Sequence, residues 1–142
     1  MRYHKEAKSV MSLTEYGIST EELAYIAGFF DGEGCITSGG RRCSLAISAS
    51  NTDKQPLEFI QRIFGGSIYE CLPKKLKWST VYNWRIGGAY ALIVLESLLP
   101  YLIVKRRQAL LGIELIKSSD IGRQASIVTE LRMLKSRYKV NN

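Results

Sequence analysis

The stretch STEELAYIAGFFDGEG, residues 19–34, carries the most informative pattern in the chain. Ser19 or Thr20 followed by Glu22 is typical of a capping box, in which the hydroxyl and the glutamate carboxylate each bind the other residue's backbone N–H. The apolar run Leu23–Phe30 follows directly. The stretch therefore predicts a helix that begins at the capping box and ends near its last glycines.

One face of this first helix is without large side chains. Ala24, Gly28 and Gly32 recur every fourth residue and so form a single stripe. Such a stripe allows two helix backbones to approach closely. The alternative is that the glycines only mark a loop, but glycine within a helix costs up to about 1 kcal/mol relative to alanine, and here it falls on one face only.

Two carboxylates, Asp31 and Glu33, lie at the C-terminal end of the same helix, where negative charge opposes the helix dipole. A divalent cation would compensate for this charge, and Mg²⁺ favours a few carboxylate oxygens together with water and phosphate oxygens. If two copies of the helix pack across a dyad, both Glu33 carboxylates meet near the axis. A cation there could promote the attack of water on a phosphodiester of a bound duplex.

The rest of the chain predicts two hairpins separated and followed by helices. The strands are expected at Cys35–Ser38, Cys43–Asn51, Ser67–Leu72 and Ser79–Ile86. The later helices are expected after Thr52 or Asp53 up to Gly65-Gly66, before Pro100 with Leu92, Leu95 and Leu99 on one face, and over about 104–117 and 122–138. These short connections leave no room for parallel crossovers. The pattern predicts an α+β fold with one antiparallel sheet.

One face of this sheet has the properties of a DNA-reading surface. Small polar residues alternate with apolar ones in the second strand, and both hairpin turns are basic. The expected DNA contacts are Arg41, Arg42, Ser44, Ser48, Ser50, Tyr69, Cys71, Lys74, Lys75, Lys77, Asn83 and Arg85. On the fourth strand the bulkier set, Tyr82, Trp84 and Ile86, is expected to face the core. Arg85 could read guanine edges, and a salt-bridged surface arginine is the competing interpretation.

The composition agrees with an anionic partner. The 142 residues include 20 Lys and Arg against 13 Asp and Glu, for a net charge of +7. Three cysteines without Cys-x-x-Cys spacing and a single His4 argue against a zinc site or a disulfide framework. No signal peptide or membrane span is apparent, so the expectation is a soluble intracellular protein of the cytoplasm or an organelle matrix.

Ile26–Gly34 resembles the motif of the LAGLIDADG homing endonucleases. The resemblance continues through residues 51–53, 64–69 and 99–106 and covers about residues 20–117. It implies the αββαββα fold of that family, whose antiparallel sheet forms a DNA-binding saddle. The expected organisation is an N-terminal extension over residues 1–18, which packs loosely or grips DNA, and one endonuclease domain over residues 19–142.

The resemblance also implies roles for single residues. Glu33 occupies the position of the metal ligand, and Lys105 that of a lysine that polarises water or offsets phosphate charge. Asn51 aligns with a polar residue that orients water, although a simple strand-end cap is an alternative. Asp31 is assigned a structural role. The implied cofactor is Mg²⁺, with Mn²⁺ as an alternative.

Only one copy of the motif is present, and in this family one copy implies a homodimer. The chain is therefore expected to dimerise through Ala24, Gly28 and Gly32 and to make a double-strand break in a long, near-palindromic DNA target. Two alternatives share the fold: a maturase that binds host intron RNA, and a DNA-binding protein without catalytic activity.

Overall fold

The computed structural model describes residues 17–39, 44–75 and 77–140, the side chains of residues 136–140 excepted. Within these residues, five helices and four strands follow one another in the order αββαββααα. They are α1 (Thr20–Glu33), β1 (Gly34–Gly39), β2 (Ser44–Asn51), α2 (Gln55–Phe64), β3 (Ser67–Cys71), β4 (Val81–Gly87), α3 (Ala89–Leu98), α4 (Arg106–Lys117) and α5 (Ile121–Val140), with a 3-10 turn at Leu99–Tyr101 between α3 and α4.

The four strands form one sheet in the order β1-β2-β4-β3, and every neighbouring pair is antiparallel. This arrangement confirms the predicted α+β class. The core face of the sheet carries the apolar side chains that alternate along β2 and β4, and the bulky β4 residues face the core as expected. Trp84 and Ile86 are buried, and Tyr82 is half-buried against the core.

The first helix begins at the predicted capping box. Ser19 Oγ accepts the N–H of Glu22 at 3.1 Å, and Glu22 Oε1 accepts the N–H of Ser19 at 3.1 Å. The buried side of α1 includes Phe30, and a Cβ added at Gly34 would overlap the Phe30 ring and carbonyl oxygen. Glycine is therefore required at the junction where α1 passes directly into β1.

Several boundaries differ from the sequence prediction. The N-cap of α2 is Lys54 rather than Thr52 or Asp53, although Asp53 Oδ1 still accepts the N–H of Gln55 at 2.9 Å. The fourth helix begins at Arg106 rather than near residue 104, because the backbone before it is held by another side chain described below. Ile18 is buried in the core, and residues 1–16 of the predicted extension lie outside the described residues.

The buried face of α3 was also predicted incorrectly in part. Leu95 is buried, but Leu92 and Leu99 are only half-buried. Ala91, Val94 and Leu98 are buried with Leu95. The helix contacts the sheet, α1 and α4, so its burial follows these three neighbours rather than a single leucine stripe. No helix in the described part of the chain is long and apolar enough to cross a membrane.

Candidate nucleic-acid interface

The face of the sheet opposite the core is small and polar. Strand pairing brings Cys35, Ser48, Arg85 and Ser67 opposite one another across all four strands. A second row runs from Ser50 through Asn83 to Tyr69, because residues opposite one another in an antiparallel pair share a face. Every predicted DNA-contact residue of β2, β3 and β4 lies on this outward face: Ser44, Ser48, Ser50, Tyr69, Cys71, Asn83 and Arg85.

Among the described residues, two outward side chains of β4, Arg85 and Asn83, have polar groups without a partner. Arg85 is exposed, and no ion pair within residues 17–39, 44–75 and 77–140 involves it. It lines a cavity of about 260 Å³ together with Thr37 and Ser44. Asn83 Oδ1 is buried without a hydrogen-bond partner among the described residues. Both groups retain unused hydrogen-bonding capacity on the outward face.

The turn between β3 and β4 carries the exposed cations Lys74, Lys75 and Lys77. Lys75 Nζ lies 5.1 Å from the centre of the Trp78 ring. The other predicted basic turn, with Arg41 and Arg42, lies outside the described residues. The β3–β4 turn thus places a group of lysines at one end of the polar face.

The C-terminal end of α1, which carries Glu33, lies beside the end of β2 and the start of β4. Glu33 is exposed and lines a cavity of about 330 Å³ with Ser50, Asn51, Thr52 and Val81. Asn51 Oδ1 accepts the N–H of Asp53 at 2.8 Å. The strand-end cap considered for Asn51 is therefore present, and the same residue still borders the cavity of Glu33.

Asp31 ties the end of α1 to the segment before α4. Its Oδ2 accepts the N–H of Ile103 at 2.8 Å, and its Oδ1 accepts the N–H of Lys105 at 3.0 Å. The Lys105 ammonium donates to the backbone oxygen of Asp31 at 2.6 Å. These bonds give Asp31 the structural role expected of it, and they place Lys105 at the same helix end as Glu33.

Burial and neighbouring charges have opposite effects on the pKa of Lys105. Burial lowers the pKa of Lys105 below the ordinary lysine value, although the nearby groups Asp31, Cys35 and Glu33 act to raise it. A partly desolvated ammonium interacts more strongly with a nearby anion than one in bulk water, because the local dielectric constant is lower.

Three further residues lie near the end of α1: Cys35, Thr37 and Lys135. They were not identified as site residues from the sequence. The Cys35 Sγ and Thr37 Oγ1 atoms lie 3.5 Å apart, and Lys135 Nζ donates to Thr37 Oγ1 at 3.1 Å. Burial acts to raise the pKa of the Cys35 thiol, but Thr37, Lys135 and Lys105 outweigh it, and the pKa is lowered. The alternation of Cys35 and Thr37 with buried Ile36 could have identified the two β1 residues.

The donor set at Glu33 fits a hard cation that takes one carboxylate from this chain. Within the described residues no group of three or more His, Cys, Asp or Glu side chains could hold a metal by itself. Glu33 supplies one exposed carboxylate, and hydroxyl and amide oxygens border the same cavity. One or two carboxylates completed by water and phosphate oxygens is the usual Mg²⁺ environment.

The small-residue stripe of α1 is uncovered. Ala24, Gly28 and Gly32 are exposed, and a Cβ added at either glycine would meet nothing within 4 Å. Two large apolar side chains lie exposed on α1 and in the segment that Asp31 binds: Tyr25 is 53% exposed and Ile103 is 85% exposed. Within residues 17–39, 44–75 and 77–140, an apolar surface at α1 thus remains exposed.

Comparison with known proteins agrees with this geometry. Residues 20–109 match the family described as a LAGLIDADG-like domain. The DNA endonuclease I-CvuI of Chlorella vulgaris is 31% identical over 125 residues, which cover 80% of this chain and 74% of that protein.

Solved structures give the same result. The homing endonuclease I-CvuI in complex with its target, in the presence of 2 mM Ca, matches with a TM-score of 0.58 and 26% identity over 86% of this chain and 82% of that chain. Another complex of I-CvuI was solved with 2 mM Mg and uncleaved DNA. The archaeal intron-encoded homing endonuclease I-Vdi141I with DNA has a TM-score of 0.64 at 21% identity, covering 80% of this chain and 84% of that chain, and so agrees in fold. This protein, with its single copy of the motif, belongs to the LAGLIDADG homing endonuclease family.

Proposed function

We propose that this protein is a sequence-specific DNA endonuclease that acts as a homodimer and hydrolyses one phosphodiester in each strand with the help of Mg²⁺. The observation that carries the proposal is the position of Glu33 and Lys105. An exposed carboxylate and a partly buried ammonium lie at the end of α1, between the uncovered stripe of that helix and the polar outward face of the sheet.

The proposed dimer uses the uncovered stripe of α1. Gly28 and Gly32 leave open space where a second helix could approach closely, and the exposed Tyr25 and Ile103 would lose apolar surface on association. A twofold axis along this seam brings the two Glu33 carboxylates together. It also joins the two outward sheet faces into one longer surface, which suits a near-palindromic target.

The three proposed catalytic residues, Glu33, Lys105 and Asn51, have different roles. Glu33 of both chains would hold the cation, with Mn²⁺ as an alternative to Mg²⁺. The bound cation would supply positive charge that makes water more acidic and stabilises the phosphoryl transition state. Lys105, fixed by its bond to the Asp31 carbonyl, donates to a phosphate oxygen or to the attacking water. Asn51, anchored through Asp53, orients water in the cavity beside Glu33.

Base recognition is assigned to the outward face of the sheet. Arg85 has no carboxylate partner in the described ranges, so its guanidinium is available for the O6 and N7 acceptors of guanine. The Asn83 Oδ1 atom, which is buried without a partner among the described residues, is assigned a hydrogen bond from the adenine amino group or from a bridging water. Lys74, Lys75 and Lys77 supply phosphate contacts that carry no sequence information.

A randomised duplex library incubated with the protein and Mg²⁺, followed by sequencing of the cut ends, tests this function. We expect a single long, near-palindromic site to be enriched. Glu33→Gln keeps the size of the side chain and removes the charge, so it should retain DNA binding and lose cutting.

The matched control is Glu70→Gln, which makes the same chemical change at an exposed carboxylate of β3. The control should cut at the parental rate. Cutting by Glu33→Gln at that rate would remove Glu33 from the active site. Binding without any cutting by the parental protein would instead indicate a DNA-binding protein without catalytic activity.

A further inference from the structure

The C-terminal helix brings two cations to the edge of the outward sheet face. Lys135 Nζ of α5 donates to Thr37 Oγ1 of β1 at 3.1 Å, although the residues are 98 positions apart. A Cβ added at Gly39 would lie 3.9 Å from Arg132 Nη2. Arg132 and Lys135 are three residues apart and so lie on neighbouring parts of the helix surface, along the edge strand β1.

These two cations differ from three basic residues of α4 and α5 that each have a carboxylate partner. The three pairs are Arg107 with Glu130, Arg123 with Glu114, and Lys117 with Glu96. In the part of the chain that the structure describes, no carboxylate lies within ion-pair distance of Lys135 or Arg132. Among the described side chains of α5, the positive charge is therefore paired at Arg123 and has no carboxylate partner at Arg132 and Lys135 beside β1.

The partners of Lys135 do not use up its hydrogen-bonding capacity. An ammonium has three N–H donors, and the partners given by the structure are the Thr37 hydroxyl and the neighbouring Cys35 thiol. Both are neutral groups when protonated. Thr37 and Cys35 belong to the outward face, on the strand that follows Glu33 directly.

We propose that Lys135, together with the hydroxyl of Thr37, binds a DNA backbone phosphate at the β1 edge of the outward face, so that α5 is part of the nucleic-acid site. The proposal rests on the proposed function in one respect, namely that the outward face binds duplex DNA. Lys135 supplies the charge and Thr37 a neutral hydrogen bond. Such a contact fixes the position of the DNA relative to the sheet and does not read its sequence. The family match ends at residue 109, so it assigns nothing to this helix.

The test is the salt dependence of binding to a duplex of random sequence, measured by fluorescence anisotropy over a range of NaCl concentrations. Lys135→Met keeps most of the side-chain stem and removes the charge. It should reduce the slope of log K against log salt by about 0.9 for each bound chain, the value for one phosphate contact. Lys135→Arg should restore the parental slope.

Lys117→Met is the matched control, because it removes one positive charge from a lysine that is paired with Glu96 away from β1. Its slope should equal that of the parental protein. Equal slopes for the folded Lys135→Met and Lys117→Met variants would overturn the proposal. Thermal unfolding of each variant establishes that it is folded.

Lysine acetylation followed by mass spectrometry gives an independent measurement on the unchanged protein. Bound DNA should protect Lys135 several-fold and leave Lys117 unprotected, and equal reactivity of Lys135 with and without DNA would contradict the proposal. The two proposals fail separately: if the parental protein binds the duplex but cuts no member of the library, the phosphate contact stands and the cleavage chemistry does not.

Discussion

Replacing Asp31 with alanine should destabilise the fold by releasing the backbone of the segment that contains Lys105. The Asp31 carboxylate accepts two backbone N–H groups, those of Ile103 at 2.8 Å and Lys105 at 3.0 Å. These bonds join the end of α1 to a segment more than 70 positions away along the chain. Asp31→Ala therefore removes two of the three hydrogen bonds between the end of α1 and the Lys105 segment, and it keeps the bond from the Lys105 ammonium to the backbone oxygen of residue 31.

The expected loss can be worked out from these two bonds. A hydrogen bond to a charged group contributes about 1.5–3 kcal/mol, and the lower end applies here because the Ile103 bond is exposed. The two bonds together then contribute about 3 kcal/mol. For a protein of this size, about 3 °C of melting temperature corresponds to each kcal/mol, so the midpoint should fall by roughly 9 °C.

Asp120→Ala is the matched control for this change. Asp120 Oδ1 accepts a single N–H, that of Arg123 at 3.0 Å, at the start of α5. Loss of such a helix cap costs about 1 kcal/mol. Thermal and urea unfolding of the two variants at one protein concentration should therefore separate them by about 2 kcal/mol. Equal destabilisation would refute the assignment of Asp31 as the link between α1 and the Lys105 segment.

Three further predictions concern assembly, binding and the core. Gly28→Leu places a large side chain where nothing lies within 4 Å in the single chain, so the variant should fold but sediment as a monomer, and an unchanged dimer would place the interface elsewhere. Lys105→Ala should lower the single-turnover cleavage rate about 100-fold to 1000-fold at saturating protein. Lys74→Ala and Lys75→Ala should instead weaken DNA binding and keep the cleavage rate at saturating protein. If Lys105→Ala changes only the binding constant, Lys105 has the same role as the turn lysines. Gly66→Ala should reduce the melting temperature, because Gly66 has a φ of 90° and an added Cβ would lie 2.7 Å from Trp84 Nε1. An unchanged melting temperature would show that glycine is not required at this position.

The parts of the fold that were predicted correctly depend on local signals. The capping box at Ser19, the glycine pair that ends α2, and the alternation along β2 each involve residues a few positions apart. Such patterns specify backbone conformation and the buried face without reference to the rest of the chain. The same reasoning placed the predicted reading residues of β2, β3 and β4 on one face, and it would have placed Thr37 there as well.

The errors occurred where distant segments compete. The start of α4 was predicted too early, because the carboxylate of Asp31 holds the backbone of residues 103 and 105 outside the helix. The leucines in and just after α3 were assigned to one buried face, but the helix packs against the sheet, α1 and α4, and these neighbours determine which side chains are buried. Helical periodicity gives the spacing of a buried face, and packing decides its direction and width.

The sequence by itself thus determined the order of helices and strands, the polar and apolar faces of the central strands, and the position of Glu33 at the end of a helix with an uncovered stripe. Only the tertiary structure decided that β4 lies between β2 and β3, that Lys105 bonds to Asp31, and that Lys135 reaches Thr37. Periodicity and capping are properties of neighbouring residues. Contacts between residues 74 or 98 positions apart depend on how the whole chain packs, and no local pattern records them.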